Sequence, residues 1–222
     1  MSDLERPGST PRTRIRRLPH HAVVDSDALR DILDRGLVAH VGFVGEDGAP
    51  YVIPVAYARA GNRMLFHGST ASRTFRALGA GTPACATVTI IEGIVLARSA
   101  FESSMNYGSV MVLGRCEVVE GEAKLAALER ISEHVAPGRW AELRPPKPQE
   151  LKATRVLALP LDECSVKVNL EGPDDPPDDL DQPVWAGTVP LRRSWGRPLA
   201  APDLRVDLPP PTYIAGWRAD RV

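Results

Sequence analysis

The stretch RMLFHGSTASRTFRAL, from Arg63 to Leu78, decides how the fold of this chain is interpreted. It begins with a short apolar run, residues 64–66, whose length is typical of a buried strand. His67 and Gly68 end this run. Three hydroxyl side chains follow as alternative N-caps of a helix: Ser69, Thr70 and Ser72. The stretch therefore predicts a strand, a glycine turn and a helix.

The start of this predicted helix has the chemistry of an anion site. Phe75 and Leu78, three residues apart, give the helix a buried side. The backbone N–H groups of a first helical turn lack intrahelical partners and carry a partial positive charge. Arg73 falls in the first turn and Arg76 in the next, and a guanidinium binds phosphate oxygens in a bidentate way. We expect a phosphate monoester here; the alternative is an ordinary capped helix with solvated arginines.

The composition of the chain argues against several classes of partner. The formal net charge of its 222 residues is −1, which suggests neither nucleic acid nor an anionic membrane. No apolar run is long enough to span a bilayer and no signal peptide is recognisable, so we expect a cytoplasmic protein. The three cysteines lack metal-ligand spacing and are expected to be reduced core residues: Cys85, Cys116 and Cys164. His20 and His21 have no ligand partner nearby in the sequence, and we predict no metal site.

Changes in composition divide the chain into four parts. Residues 1–24 are polar and basic and predict an extended arm, solvated or lying on the domain surface; contact with nucleic acid is an alternative that we do not favour. Residues 25–171 hold the regular secondary structure. Residues 172–182, GPDDPPDDLDQ, are acidic and proline-rich and predict an extended or disordered linker. Residues 183–222 begin with a tryptophan-bearing apolar segment, which predicts docking onto this domain or a partner chain, and end in a weakly ordered tail.

Hydrophobic patterns in the central part predict a mainly β domain. Strands are predicted for several runs: 37–44, 51–58, 64–66, 84–91 with a continuation at 94–97 after Gly93, 107–120, 156–161 and 164–170. Besides the helix of the opening stretch, helices are predicted from Asp25 or Ser26 to Gly36, with Gly36 as a C′ residue, and from Glu122 to Val135. The last helix is expected to bury one face: Leu125, Leu128, Ile131 and Val135. Antiparallel meanders of about six strands with peripheral helices predict a closed or partly open β-barrel, and the glycine-rich loops of Rossmann and P-loop nucleotide sites are missing from the sequence.

Six short motifs occur in one order along residues 12–191. They are HVGF at residues 40–43, YVIP at 51–54, LFHGS at 65–69 with SR at 72–73, SMNY at 104–107 with SV at 109–110, PGRW at 137–140 and PVWAG at 183–187. Each motif is weak alone, and the ordered set is specific. With this set the chain resembles the flavin-nucleotide-binding branch of the pyridoxamine 5′-phosphate oxidase-like split-barrel superfamily, which includes the nitroimidazole-resistance proteins.

The resemblance implies a six-stranded antiparallel split β-barrel, mainly β with peripheral helices, that forms a homodimer and binds FMN at the dimer interface. The residues implied to line the flavin ring are Ile53, Pro54 and Val55. Those implied to hold the ribityl phosphate, in agreement with the expected anion site, are His67, Gly68, Ser69, Ser72 and Arg73. Residues implied to lie along the other side, reaching the partner's flavin, are Ser104, Asn106, Tyr107 and Ser109, and Trp185 is implied to cover a ring at the interface. The chain departs from the family pattern at Gly108, where relatives often carry an arginine.

The function that the resemblance implies is an FMN-dependent oxidoreductase acting between a small-molecule electron donor and an acceptor such as a nitro compound or a quinone. No catalytic side chain is assigned, since a flavin carries the redox chemistry itself. One alternative is a non-catalytic flavin carrier or sensor. Another is a split barrel that binds a deazaflavin, or haem with His40 or His67 as the axial ligand. For His67 we favour a structural or phosphate-contact role over acid–base catalysis.

Overall fold

The structure is a computed structural model, and it describes residues 6–217. Ten strands lie in this range: β1 (Ala22–Val23), β2 (Val38–Val44), β3 (Pro50–Ala60), β4 (Arg63–Ser69), β5 (Pro83–Leu96), β6 (Ser104–Arg115), β7 (Glu117–Val119), β8 (Thr154–Pro160), β9 (Glu163–Asn169) and β10 (Gly187–Pro190). Four α-helices lie in the same range: α1 (Ser26–Arg35), α2 (Arg73–Gly79), α3 (Gly121–Val135) and α4 (Pro148–Ala153). None of the described helices combines the length and the apolarity needed to cross a membrane.

The strands form an antiparallel sheet that encloses a core as a split barrel. Neighbours pair in the order β1-β9-β6-β5-β2-β3-β4-β8-β7, and β10 pairs with the C-terminal part of β5. A register shift between Ile91 and Gly93 divides β5, as the position of Gly93 predicted. The prediction of a mainly β split barrel is confirmed. The ten described strands exceed the seven predicted runs, because the N-terminal arm adds β1, the C-terminal segment adds β10 and the run 107–120 is divided into β6 and β7.

The split arises where β3 changes its partner. Residues 50–56 of β3 pair with β2, whereas residues 57–60 pair with β4. β4 continues along β8 as far as Ser69, which lies opposite Thr154. The strands β3 and β4 therefore diverge on one side of Tyr57, and the N-terminal half of β3 has one edge with no strand partner among the described residues.

Most large buried side chains form one core inside the barrel, to which α1 contributes three residues: Leu29, Ile32 and Leu33. Tyr57 is fully buried, and its hydroxyl donates a 2.7 Å hydrogen bond to the Leu33 carbonyl. Gly36 ends α1 with φ −67°, so it does not take the left-handed conformation typical of a C′ glycine. A glycine is needed there for another reason, because a Cβ would lie 2.7 Å from the Tyr57 hydroxyl oxygen.

A second, smaller cluster joins α3 to one face of β4 and β8. Its buried members are Ala58, Leu65, Ala127, Ile131, Val156 and Ala158. The predicted buried face of α3 is partly wrong. Leu128 packs against this cluster, but Leu125 and Val135 are 42% and 38% exposed. The buried stripe is centred on Ala127 and Ile131, four residues apart, so both ends of the predicted face turn towards solvent.

The segment that follows β9 is held against the barrel. The Asp175 carboxylate, whose side chain is 1% exposed, accepts hydrogen bonds from the backbone N–H and the guanidinium of Arg98 at 2.8 and 2.9 Å. The predicted linker, residues 172–182, is therefore anchored at Asp175 by an ion pair, which is compatible with the extended alternative of the prediction. This anchor is a contact between residues far apart in the sequence, which composition does not show.

The C-terminal segment also packs on the described domain. β10 pairs with β5 from Gly187 to Pro190, in agreement with the predicted docking onto this domain. Further along, the Trp217 indole donates a 3.0 Å hydrogen bond to the Pro137 carbonyl, and its ring packs edge-on against Trp195. The predicted arm and tail include residues 1–5 and 218–222, which lie outside the described residues.

Candidate functional site

The candidate site lies at the split between β3 and β4. In an antiparallel strand, alternate residues direct their N–H and C=O groups to the same edge. The edge of residues 50–56 that faces away from β2 therefore offers backbone donors and acceptors that no described strand uses. Buried or half-buried backbone groups need a partner, so this edge suits a flat polar ligand. α2 begins at Arg73, on the other side of the split.

Arg73 reaches across the split to β3. Its guanidinium carbon lies 4.0 Å from the centroid of the Tyr51 ring, and its Nη1 donates a 3.1 Å hydrogen bond to the Tyr51 hydroxyl. That hydroxyl donates in turn to the Asp47 carboxylate at 2.5 Å. Hydrogen bonds from Tyr51 and from the Ala49 N–H hold the pKa of Asp47 below its usual range, and the bond to Asp47 raises the pKa of Tyr51. Arg73 is exposed, yet a chain of contacts holds its cation at the mouth of the split.

The turn between β4 and α2 carries the predicted hydroxyl groups. Ser69 Oγ accepts a 3.1 Å hydrogen bond from the Ala71 N–H, and the Ser72 N–H donates to the Ser69 carbonyl at 3.0 Å. Ser72 is the N-cap of α2, but its side chain makes no capping hydrogen bond. The turn thus brings Ser69, Ser72 and Arg73 together, and the Ser72 hydroxyl is not used by the helix.

His67 and Gly68 are neighbours in β4, so their Cα–Cβ directions point to opposite faces of the strand. A Cβ at Gly68 would lie 2.3 Å from a ring carbon of Phe75, so a glycine is needed for α2 to pack on the barrel. His67 lies opposite Val156 and is exposed as a residue, although partial loss of hydration lowers the pKa of its imidazole. The structure therefore gives Gly68 a packing role, and His67 carries a largely neutral ring near neutral pH.

The predicted ring-lining residues of β3 alternate between two faces, as neighbours in a strand do. Ile53 and Val55 pack against the barrel core, whereas Pro54 is exposed and lies opposite His40 of β2. The side chains of Ile53 and Val55 thus point away from the surface on which Pro54 lies. Ile53 and Val55 can therefore contact a ligand at the split through backbone groups only. The expectation that these residues line a flavin ring is narrowed to such backbone contacts.

The remaining predicted contacts of the main domain lie on β6: Ser104, Asn106, Tyr107 and Ser109. Two strands, β5 and β2, separate β6 from β3, which corresponds to a distance of ~14 Å across the sheet. One chain therefore does not bring the β6 residues to the split. Asn106 is buried, and its Oδ1 has no hydrogen-bond partner among the described residues.

Gly108 and Trp185 are the last two positions that the sequence singled out. A Cβ at Gly108 would lie 3.0 Å from Ile32 Cδ1 of α1, so a larger residue there would displace the Ile32 side chain. Trp185 is 67% exposed just before β10, with its ring close to Gly187. Its large apolar surface is largely uncovered by the described residues.

An open cleft of about 590 Å³ adjoins the split on the outer face of the sheet. Residues lining it include Gly42, Val44, Tyr51, Val52, Cys85 and Leu113. Two arginines at the cleft already have partners: Arg12 donates to the Glu163 carboxylate at 2.9 Å, and Arg115 donates to the Gly81 carbonyl. The cleft is therefore a mainly apolar extension of the split. Of the three arginines, Arg73 is the one better placed to bind an anion there.

Sequence reasoning missed two groups of residues. Tyr51 orients Arg73, and the available signal was its position in the same YVIP motif as Ile53. Glu171 lies beside His20 and His21, with one potential metal-ligand atom from each of the three residues within 4.8 Å of the others. The sequence neighbourhood of the two histidines did not indicate this third group, and the absence of a metal site stays a prediction. No local spacing reveals Glu171, because the pairing of β1 with β9 brings it there.

These features define a split-barrel protein with a candidate anion-binding cleft. The profile described as pyridoxamine 5′-phosphate oxidase matches residues 25–168. The chain belongs to this family, which confirms the resemblance noted from its motifs. A search of curated proteins found none that matches.

Solved structures extend this comparison to most of the chain. The chain is 40% identical to the FAD and heme binding protein from Mycobacterium smegmatis, over 88% of this chain and 96% of that one, with a TM-score of 0.84. It is 38% identical to the flavocytochrome Anf3 from Azotobacter vinelandii, over 96% and 99% of the two chains, with a TM-score of 0.88. A protein described as a 5-nitroimidazole antibiotic resistance protein from Bacteroides thetaiotaomicron is 22% identical over 66% and 86%, with a TM-score of 0.56, which shows the fold alone.

Proposed function

We propose that this chain is a flavin-dependent oxidoreductase that binds FAD at the split and also binds haem. One observation carries the proposal: the two proteins to which it is 38–40% identical, over 88–96% of its length, are named as an FAD and heme binding protein and as a flavocytochrome. The flavin would supply the electron-transfer chemistry, which agrees with the lack of an assigned catalytic side chain. FMN, the flavin implied by the motifs, is not named in either relative.

The geometry supports a flavin at the split through groups of this chain. Arg73, aligned by Tyr51, binds a phosphate oxygen, and the Ser72 hydroxyl donates a second hydrogen bond to it. The edge of β3 that faces away from β2, over residues 50–56, would offer backbone groups to polar atoms of the ring. These roles are the same for FMN and FAD, because both carry a phosphate on the ribityl chain.

The β6 residues act, in this proposal, on the flavin of a second copy in a homodimer. The separation of β6 from β3 and the unpaired Oδ1 of Asn106 support this arrangement. The outer face of the sheet is also apolar in part, since Val38 and Val52 are 45% and 64% exposed. Size-exclusion chromatography with light scattering should give twice the chain mass for the flavin-loaded protein; a monomer that retains flavin at full affinity contradicts the homodimer.

We assign His67 as the residue that would hold the haem iron, since histidine is a common protein ligand of haem. His67 lies on the same face of β4 as Leu65, and its lowered pKa leaves the neutral imidazole that coordinates iron. Both His67 and His40, the other histidine considered from the sequence, are exposed residues, and the described residues provide no side-chain hydrogen bond to either imidazole. His67→Ala should abolish the haem absorption band while flavin remains bound, and His40→Ala should retain both. Loss of flavin instead, with haem retained, would return His67 to the phosphate-contact role.

The central experiment compares Arg73→Ala with Arg76→Ala in the purified full chain. Arg76 is the matched control because it is an exposed arginine of the same helix. Loss of a hydrogen bond to a charged group costs about 1.5–3 kcal/mol, which weakens flavin binding about 10- to 150-fold for Arg73→Ala. Absorption spectra and mass spectrometry of the heat-released cofactor identify the flavin, and calorimetry gives its dissociation constant. Equal affinity in the two variants contradicts the assignment of the phosphate to Arg73.

A panel of electron acceptors with NADH or NADPH tests the oxidoreductase part. Turnover that depends on the bound flavin supports an enzyme. Reducible flavin without turnover for any nitro compound or quinone favours the non-catalytic carrier or sensor, which is the alternative function.

A further inference from the structure

Three potential metal ligands meet where the N-terminal arm joins the barrel. His20, His21 and Glu171 each offer one donor atom, and these atoms lie within 4.8 Å of one another. Donor atoms around a tetrahedral zinc ion stand ~3.3 Å apart for bonds of about 2.0–2.1 Å. His20 and Glu171 are exposed, so their side chains have room to turn towards an ion beside the buried His21.

The backbone fixes both segments that carry these ligands. The histidines end a short 3₁₀ turn, Pro19–His21, and β1 follows at once, with Ala22 opposite Lys167 of β9. Glu171 lies just beyond the end of β9, where its N–H donates a 3.2 Å hydrogen bond to Asn169 Oδ1. The approach of the three side chains therefore follows from strand pairing and from a local turn, and does not depend on attraction between charges.

The two histidine rings lie side by side at the edge of the barrel. The His20 and His21 rings have centroids 4.1 Å apart, and His21 is 8% exposed. The buried His21 ring therefore has a fixed position, next to which the exposed His20 and Glu171 side chains lie.

We propose that His20, His21 and Glu171 bind a divalent transition-metal ion of the zinc type. Two imidazoles and one carboxylate form a donor set of zinc sites in which a fourth position is left to water or another ligand. Calcium and magnesium prefer sets made of oxygen ligands, which this cluster does not offer. The ion ties the last turn of the N-terminal arm to the end of β9. This site is independent of the proposed flavin and haem functions.

The test is calorimetric titration of the full chain, with its cofactors bound, by zinc chloride after removal of adventitious metal. The variants are His20→Gln and Glu171→Gln, with His40→Gln as a control for an exposed histidine outside the cluster. Wild type and His40→Gln should bind one zinc ion per chain. Loss of even an outer-shell partner weakens metal binding about 10- to 100-fold, so each ligand variant should bind at least ~10-fold more weakly. Equal affinity in all four proteins, or no binding by wild type, overturns the proposal.

Hydrogen exchange gives a second readout that separates this site from unspecific surface binding. Zinc should slow the exchange of the amide of Val23, in the strand β1 that follows the two histidines, in wild type and in His40→Gln. The same slowing should be lost in Glu171→Gln. Zinc-dependent protection that persists in Glu171→Gln, or that occurs only away from β1 and β9, also overturns the proposal.

Discussion

Replacing Gly68 with alanine tests whether the packing of α2 on β4 sets the stability of the barrel. A Cβ at this position would lie 2.3, 2.5 and 2.7 Å from three ring carbons of Phe75, closer than carbon atoms approach without displacement. Phe75 is 5% exposed and packs edge-on against Phe66, with ring centroids 6.5 Å apart. Because the ring is enclosed, α2 itself has to move away from β4. Arg73 begins that helix, so the same movement should weaken flavin binding.

The expected size of this effect follows from two opposing terms. Overpacking of a core lowers the free energy of unfolding by about 1–3 kcal/mol. A change from glycine to alanine also reduces the entropy of the unfolded chain, which stabilises the protein by about 0.4–1 kcal/mol. The net loss for Gly68→Ala should be about 1–2 kcal/mol, which lowers the melting temperature of a chain of this size by about 2–8 °C.

Urea unfolding at fixed protein and flavin concentrations measures this loss. Gly172→Ala is the matched control, because a Cβ at Gly172 meets no atom within 4 Å. In the double variant Gly68→Ala/Phe75→Leu, the smaller side chain relieves the contact with the new Cβ. The loss of unfolding free energy should therefore be smaller than the sum of the losses in the two single variants. If Gly68→Ala unfolds at the same urea midpoint as Gly172→Ala, the argument that the Phe75 ring closes over the glycine is refuted.

Two further predictions concern the segment after β9 and the effect of alkaline pH. Asp175→Ala leaves the partly buried Arg98 guanidinium without its carboxylate, so the free energy of unfolding should fall by about 1–3 kcal/mol. Proteolysis within residues 172–182 should also accelerate. Asp174→Ala is the control, because Asp174 is exposed and its replacement should change neither quantity. Burial raises the pKa of the Cys116 thiol from 9.0 to about 12. Above pH 9 the unfolded chain thus releases a proton that the folded chain keeps, and the free energy of unfolding should fall by up to ~1.4 kcal/mol per pH unit, a slope that Cys116→Ala should reduce.

The outcomes that contradict these two predictions are distinct. Equal rates of proteolysis in Asp175→Ala and Asp174→Ala mean that the ion pair with Arg98 does not anchor the segment. An alkaline slope that is the same in wild type and in Cys116→Ala assigns the loss of stability to other groups. Either result can be read from the unfolding and proteolysis curves without knowledge of the cofactor.

The elements of the barrel were largely predictable, because each depends on a short pattern. The apolar run at residues 64–66 became β4, and Phe75 and Leu78 became the buried side of α2. Gly93 was recognised as a break in β5. The buried face of α3 was predicted less well, since Leu125 fits the helical period but is exposed. Which stripe of a helix is buried depends on the angle at which it crosses the sheet, and periodicity does not determine that angle.

The candidate site was predictable as a set of residues but not as an arrangement. Arg73 and Ser72 were identified from the helix start, and the structure places them at the split. Ile53 was predicted to line the ring with its backbone polar groups and its apolar side chain, and the structure packs that side chain against the core. The β6 residues were assigned to the same cofactor, and the sheet order separates them from the split by two strands. Motif order along a chain carries no information about such distances.

The class of fold, the position of the glycine turn before α2 and the arginine that begins this helix all follow from local sequence patterns. These features depend on side-chain periodicity and turn chemistry, which act over a few residues. The packing of Phe75 over Gly68, the contact of Tyr51 with Arg73 and the meeting of distant histidines with a glutamate are visible in the folded chain alone. Such contacts depend on strand register and on pairing between residues far apart in the chain, where a shift of one residue would turn each side chain to the other face.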